Sequence, residues 1–280
     1  MSSHTHLLSL VLQPKLLIDL NQAYLFKSQI KLRKLYLGRM NMKKVDLDKT
    51  FGKKKVESNE REKLIRRVFS KVAPRYDLMN DAMSFGIHRL WKSKLAKLAK
   101  PLANQTIVDL AGGTGDIAIK MAHSDRTVFI ADPSIEMMES GQERHNIQCI
   151  ATTGEKLSFA DNSVDTITIA FGVRNMTHMK QGLAEMHRVL KPGGRMLCLE
   201  FSKPHKWLKP FYDWHSYHII PRLGAWIAQQ PEAYTYLIES IRRFPDQEEM
   251  KHIMEKTGFT DVTYYNVSFG IACIHIGIKE

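Results

Sequence analysis

The apolar positions follow one rhythm before residue 105 and another after it. Between Arg61 and Val72, Leu64, Ile65, Val68, Phe69 and Val72 recur at the spacing that gathers side chains on one helical face. Ser58 is the candidate N-cap. Arg61 stands at the third position instead of a glutamate, so there is no capping box, and Pro74 marks the helix end. Residues 88–100 make a second, basic amphipathic helix stopped by Pro101. Short apolar runs then alternate with helical stretches. Strands are expected at Ile107–Leu110, Thr127–Ala131 ending at Asp132, Ile147–Ala151 and Thr166–Phe171. Helices are expected from Ile117, over Ser134–Ser140 and over Leu183–Leu190. Pro192-Gly193-Gly194 reads as a turn before a strand at Arg195–Phe201. A helix over 246–257 ends at Gly258, and strands at 262–267 and 271–278 close the chain. Strands alternating with helices predict an α/β fold, a mostly parallel sheet covered on both faces.

The charge is unevenly placed. The chain has 280 residues and a net charge of +12, of which residues 1–100 carry +15 and residues 101–280 carry −3. A basic front on a near-neutral body does not describe a nucleic-acid-binding face; it describes either a solvated segment or one that meets anionic lipid. Residues 1–48 read as a basic extension, either disordered or preceding a true start at Met40 or Met42, and residues 49–280 as one domain. No apolar run approaches the ~18 residues of a membrane-spanning helix. Cys149, Cys198 and Cys273 lie far apart in strand-like stretches, which predicts buried, reduced thiols and no metal site.

Candidate chemistry centres on Val108-Asp109-Leu110-Ala111-Gly112-Gly113-Thr114-Gly115-Asp116, a strand, a glycine turn and a helix start. Glycines let the backbone approach a ligand, and the helix start offers free N–H groups. Asp132, 17 residues after Gly115, ends the next strand, where a carboxylate can accept from both hydroxyls of a ribose. The dinucleotide pattern G-x-G-x-x-G is absent, because Asp116, Ile117 and Ala118 follow Gly115. Thr153-Gly154 after the third strand and Phe171-Gly172-Val173-Arg174-Asn175 after the fourth face the same crevice.

Two longer stretches carry a family resemblance. Residues 76–91, from Tyr76-Asp77-Leu78-Met79-Asn80-Asp81 to His88-Arg89-Leu90-Trp91, and residues 188–202, from Arg188-Val189-Leu190-Lys191-Pro192-Gly193-Gly194 to Glu200-Phe201-Ser202, resemble the hallmarks of the quinone-biosynthesis C-methyltransferases. The resemblance covers residues 49–280. It implies a Rossmann-like S-adenosylmethionine-dependent fold, a seven-stranded sheet with an added helical lid, and residues 205–242 as a substrate cap. It implies C-methylation of a polyprenyl quinol, in menaquinone or ubiquinone biosynthesis or both. The setting implied is the cytoplasm at the inner membrane face, or the mitochondrial matrix in a eukaryote. Peripheral membrane contact, a biosynthetic complex and a homodimer are open under it.

The resemblance maps cofactor binding onto Thr114, Asp132, Thr153, Gly154 and Ala170, with Gly113 and Gly115 from the turn. Thr153 stands where the family commonly has Asn or Asp, and Ala170 where it has Ser, each a hydrogen bond worth roughly 0.5–1.5 kcal/mol. Lys53 replaces an apolar residue. The catalytic positions implied are Arg174, Asn175 and Tyr76. A guanidinium donates and does not act as a base, so Arg174 either stabilises a developing phenolate or forms a structural ion pair. Tyr76 is either an orienting group or a packed aromatic. His88 fits acid–base work or a bonded structural role. The aromatic stretch Trp207, Phe211, Tyr212, Trp214, Tyr217 and Trp226 lines an isoprenoid tunnel or fills a helix core. Competing functions are methylation of another small molecule, an RNA methyltransferase, and a non-catalytic scaffold.

Overall fold

A computed structural model of the chain describes residues 49–51, 54–219 and 231–280. The expectations for residues 1–48, for Lys53 and for the cap segment 220–230, Trp226 included, lie outside the described residues. After a short antiparallel pairing of Thr50–Phe51 with Lys54–Lys55, three helices precede the sheet: α1 (Ser58–Val72), α2 (Tyr76–Ser84) and α3 (Ile87–Ala99). The sheet and its helices then alternate as β1 (Thr106–Leu110), α4 (Ala118–Met121), β2 (Thr127–Asp132), α5 (Ile135–Gly141), β3 (Gln148–Ala151), β4 (Val164–Ala170), α6 (Met179–Val189) and β5 (Leu190–Phe201). Helices α7 (Lys209–Trp214), α8 (Pro231–Arg243) and α9 (Gln247–Lys256) follow, then β6 (Thr260–Val267) and β7 (Ala272–Ile278).

The strand order is β3-β2-β1-β4-β5-β7-β6. The first five strands are parallel, and β7 pairs antiparallel with both β5 and β6. Chain order runs outward in one direction from β1 and in the other from β4, so a crevice opens beyond their carboxyl ends. The central strands are apolar on both faces: Ile107, Ile130, Ile167 and Leu197 are fully buried. Leu183, Met186 and Val189 of α6 and Met250 and Met254 of α9 cover one face, while Trp91, Leu95 and Ala99 of α3 cover the other. Each such side chain contributes roughly 1.5–3 kcal/mol when fully buried.

Three expectations need correction. Ser58 is the first residue of α1, not its cap; the extended Glu57 precedes it and no side chain caps the helix. Pro192-Gly193-Gly194 is no free turn but part of β5. The Gly193 amide donates to Lys279 O at 2.7 Å and the Lys279 amide to Gly194 O at 2.9 Å, so the β7 end holds these residues in the ladder. The register slip falls between Val164 and Thr166 instead, and Gly193 takes φ +77°. Cys149 is exposed, because β3 is an edge strand paired only with β2; Cys198 and Cys273 are buried free thiols.

Candidate active site

The crevice at the strand ends holds a cavity of about 280 Å³. Its floor is the turn after β1, where Ala111 and Gly113 adopt positive φ and the Ala111 amide donates to Ala131 O at 2.7 Å. A Cβ on Gly113 would meet Met137 Cε at 3.0 Å and come within 4.0 Å of Asp132 Oδ2, so the missing side chain keeps the cavity open beside the carboxylate. Asp132 is 7% exposed; Oδ2 accepts from the Gly113 amide at 3.0 Å and Oδ1 from the Ser134 amide at 2.8 Å. Burial pushes its pKa up to about 6 against those two bonds, so the site holds a poorly solvated anion with lone pairs to spare.

Thr114, Thr153, Gly154, Ala170 and Asn175 line the same cavity. The Thr114 hydroxyl is 3.3 Å from Asp77 Oδ1, on α2. Gly154 and Gly182 make room for Met176: a Cβ on either would come within 2.5 Å of its terminal atoms. Gly115 does not line the cavity. It turns toward Ile130 and His145 with φ +83°, and Gly112 lines the cavity in its place.

Arg174 lies elsewhere than expected. It lines a second cavity, also about 280 Å³, enclosed by α2, α3, α7 and the end of β5. Its Nη1 contacts Glu200 Oε2 at 2.9 Å and Oε1 at 3.1 Å and donates to Phe171 O. Its Cζ sits 5.6 Å from the Phe171 ring centre and 5.4 Å from that of Phe201. Burial pushes the Glu200 carboxyl up against the pull of Arg174. The ion pair is therefore present, yet Arg174 Nε is buried without a hydrogen-bond partner. Asn175 stays on the first cavity: its amide donates to Phe171 O at 3.0 Å and its Oδ1 accepts from the Tyr236 hydroxyl at 2.9 Å.

Tyr76 and Phe171 line both cavities, so the two spaces meet across these rings. Phe171 holds φ +58°, a left-handed backbone that is uncommon for an aromatic residue and directs the chain between the cavities. The second cavity is otherwise walled by Met83, Trp91, Phe201, Leu237 and Ile241.

Sequence reasoning missed the residue that ties α1 to this site. Arg61 is 1% exposed, and its guanidinium donates to the carbonyls of Thr50, Arg174, Asn175 and Met176 and to the Thr177 hydroxyl, at 3.0–3.3 Å. It was legible only as the residue that spoiled a capping box. Lys92, buried on α3, pairs with Asp116 at 2.8 Å beside the first cavity; Asp116 was read only as part of the glycine turn, and Lys92 had no role in the sequence reading.

The model of the ubiE/COQ5 methyltransferase family matches residues 55–279. A ubiquinone/menaquinone biosynthesis C-methyltransferase UbiE from Rubrivivax gelatinosus is 58% identical over 235 residues, 83% of this chain and 94% of that protein. Its namesake from Pectobacterium atrosepticum is 45% identical over 240 residues, covering 82% and 96%. A crystal structure of a SAM-dependent methyltransferase from Thermotoga maritima matches with a TM-score of 0.59 at 18% identity, over 77% of this chain and 100% of that one, a likeness of fold.

Proposed function

Because the chain belongs to the ubiE/COQ5 methyltransferase family, we propose that its two joined cavities hold the methyl donor and the ring acceptor on either side of Tyr76 and Phe171. The protein is an S-adenosylmethionine-dependent C-methyltransferase of ubiquinone and menaquinone biosynthesis, and its substrate is a quinol. The observation that carries the two-cavity reading is this adjacency of a strand-end cavity with a buried carboxylate and an apolar cavity with a buried guanidinium.

The first cavity fits S-adenosylmethionine. Asp132 offers a desolvated carboxylate to the ribose hydroxyls, Gly112 and Gly113 leave space against the backbone, and Met137 and Met176 flank the remainder. Thr114, Thr153, Gly154 and Ala170 complete the wall, and Gly115 acts only by shaping the turn. When bound, the cofactor supplies an electrophilic methyl on a sulfonium. Tyr76 and Asn175 set the boundary at which the acceptor carbon must approach, and holding reactants near 3–3.5 Å supplies roughly 7–11 kcal/mol of barrier reduction. Arg174, its charge matched by Glu200, keeps an unspent Nε–H for oxygen charge that grows as the ring carbon attacks.

The finer acceptor reading is a polyprenyl quinol: demethylmenaquinol, the 2-methoxy-6-polyprenyl-1,4-benzoquinol, or both. Catalysis is assigned to residues 49–280, with the described part of 205–242 over the second cavity. Phe85 and Phe211 line that cavity yet are 75% and 71% exposed, and Trp207, next in the chain to the lining residue Leu208, is 59% exposed. With Lys203, Lys206 and Lys209 in the same stretch, this rim suits an anionic bilayer from which a tailed quinol enters. No helix among the described residues is long and apolar enough to cross a membrane, so the contact proposed is interfacial. The test is incubation of the purified chain with each quinol and a cofactor carrying an isotope-labelled methyl. Label on a ring carbon supports the reading; label on oxygen, or on neither quinol, contradicts it.

A further inference from the structure

Methyl transfer to an aromatic carbon requires that a proton leave the acceptor, and neither Arg174 nor Asn175 accepts one. Arg174 is a donor, and the Asn175 side chain is tied at both its oxygen and its nitrogen. Among the described residues, His88 and His215 both line the second cavity, and each has one buried ring nitrogen without a hydrogen-bond partner, Nδ1 of His88 and Nε2 of His215.

His88 differs from His215 in what holds it. It is 3% exposed, and its Nε2 lies 2.9 Å from Asp81 Oδ1. An ionised carboxylate only accepts, so Nε2 carries the proton and Nδ1 keeps a free lone pair. Asp81 is kept ionised by Arg89, whose Nε and Nη2 donate to its two oxygens at 2.7 and 2.6 Å and hold the carboxyl below its usual range. A carboxylate fixing the tautomer of an imidazole whose other nitrogen meets the reacting group is the arrangement of a general base. The backbone brings the two residues together: α2 ends at Ser84, Phe85 and Gly86 take positive φ, and α3 begins at Ile87, folding His88 back over Asp81.

We propose that the Asp81–His88 pair is the proton acceptor for the quinol ring in the second cavity, a role that rests on the quinol reading above. In this step the ring O–H bond breaks with its electrons left on oxygen, and the proton goes to His88 Nδ1. The ring carbon forms its new bond to the methyl, whose bond to sulfur breaks with the pair left on sulfur. The first proton passes from His88 to solvent, which is the one proton released overall; neutral His88 then takes the ring C–H proton, whose bonding pair restores the aromatic ring, and returns that proton to the oxygen.

The surroundings favour a neutral imidazole. Burial lowers the His88 pKa below its ordinary 6.5; Asp81 and Asp116 work against this, and Lys92 adds to it. Tyr76, Arg174 and His215 line the same cavity. As pH falls through the lowered His88 value the base is protonated, so kcat at saturating cofactor should carry an acid limb below pH 6.5.

The test combines kinetics with imidazole NMR. Glutamine at position 88 can still donate to Asp81 but has no basic lone pair. His88→Gln is expected to lower kcat by about 10²–10⁴-fold with cofactor affinity unchanged, and to abolish the acid limb. In the substrate-free protein, nitrogen NMR should show one imidazole protonated at Nε2, titrating below the ordinary value, and missing from the variant. Asp81→Asn should lower kcat while leaving His88 present, and His215→Gln should leave the acid limb in place. The proposal is overturned if His88→Gln keeps wild-type kcat or its acid limb, if the His88 proton sits on Nδ1, or if the limb vanishes with His215→Gln. A wild-type chain that methylates no quinol would instead remove the functional reading, and the NMR would still report the tautomer.

Discussion

Replacing Asp132 by asparagine should separate cofactor affinity from stability. The carboxylate is nearly buried, and its pKa is raised from 3.8 to about 6. That rise corresponds to roughly 3 kcal/mol by which the fold disfavours the ionised form. The sign follows from proton counts. Between the unfolded value of 3.8 and the folded value of about 6 the folded chain binds more protons, so stability falls as pH rises through that window, and the full penalty is present above it. A neutral carboxamide carries no such penalty, but its NH₂ must face either the Gly113 or the Ser134 amide, both of which donate to the wild-type carboxylate, at a cost of about 1–3 kcal/mol. The two effects offset, so the thermal midpoint at neutral pH should change little and lose its dependence on this group. Affinity should behave otherwise. Losing charge-assisted bonds to a ribose diol costs about 1.5–3 kcal/mol, a ten- to hundredfold rise in Kd. In the wild type, affinity should also weaken below about pH 6, up to tenfold per pH unit, as the carboxylate is protonated before binding. Calorimetric titration with S-adenosylhomocysteine across this range, beside thermal melts, measures both. Unchanged affinity in Asp132→Asn, or affinity and stability falling together, would refute the reasoning.

Arg174→Ala should lose turnover far more than cofactor affinity and should destabilise the fold by roughly 3–5 kcal/mol, because it strands Glu200 in the core. The double variant Arg174→Met, Glu200→Gln should recover most of the stability in urea titrations but none of the turnover. Deleting residues 1–48 should leave methylation of a short-tailed quinol in solution intact, since α1 and the matched family region begin beyond them; an inactive truncation would extend the catalytic domain. Leu90→Ser with Trp207→Ser removes exposed apolar surface beside the second cavity without touching its lining. Co-sedimentation with vesicles of mixed phosphatidylcholine and phosphatidylglycerol should fall at least several-fold, while turnover in solution persists; unaltered sedimentation would move the membrane contact elsewhere.

How much of this could be read in advance depended on whether a feature was local. The glycine turn, Asp132 at a strand end and the alternation of strands and helices all lie within single elements or short units, and each stands where the sequence placed it. Arg61 failed because four of its partners lie 113–116 residues away, and a charged residue within an amphipathic repeat reads as solvent-facing until the opposing loop is known. Arg174 was legible as a charged residue beside the crevice, but the side it faces was not. Its direction is set by Glu200, 26 residues on, at the end of a neighbouring strand. The Pro192-Gly193-Gly194 turn chemistry was real, yet hydrogen bonds exchanged with Lys279 drew those residues into the sheet. Cys149 misled because periodicity reports strand formation and says nothing of whether a strand lies at an edge.

The central claim is that an electron-rich ring carbon in the second cavity attacks the methyl, and it concerns the oxidation state of the acceptor. A quinol can be drawn toward phenolate by the groups at Tyr76, Arg174 and His88, whereas a quinone ring is itself electrophilic. The decisive measurement is anaerobic transfer of labelled methyl to the same acceptor supplied reduced and oxidised, with no reductant carried over. Ring methylation of the quinol alone is the predicted result; equal methylation of the quinone would contradict the account.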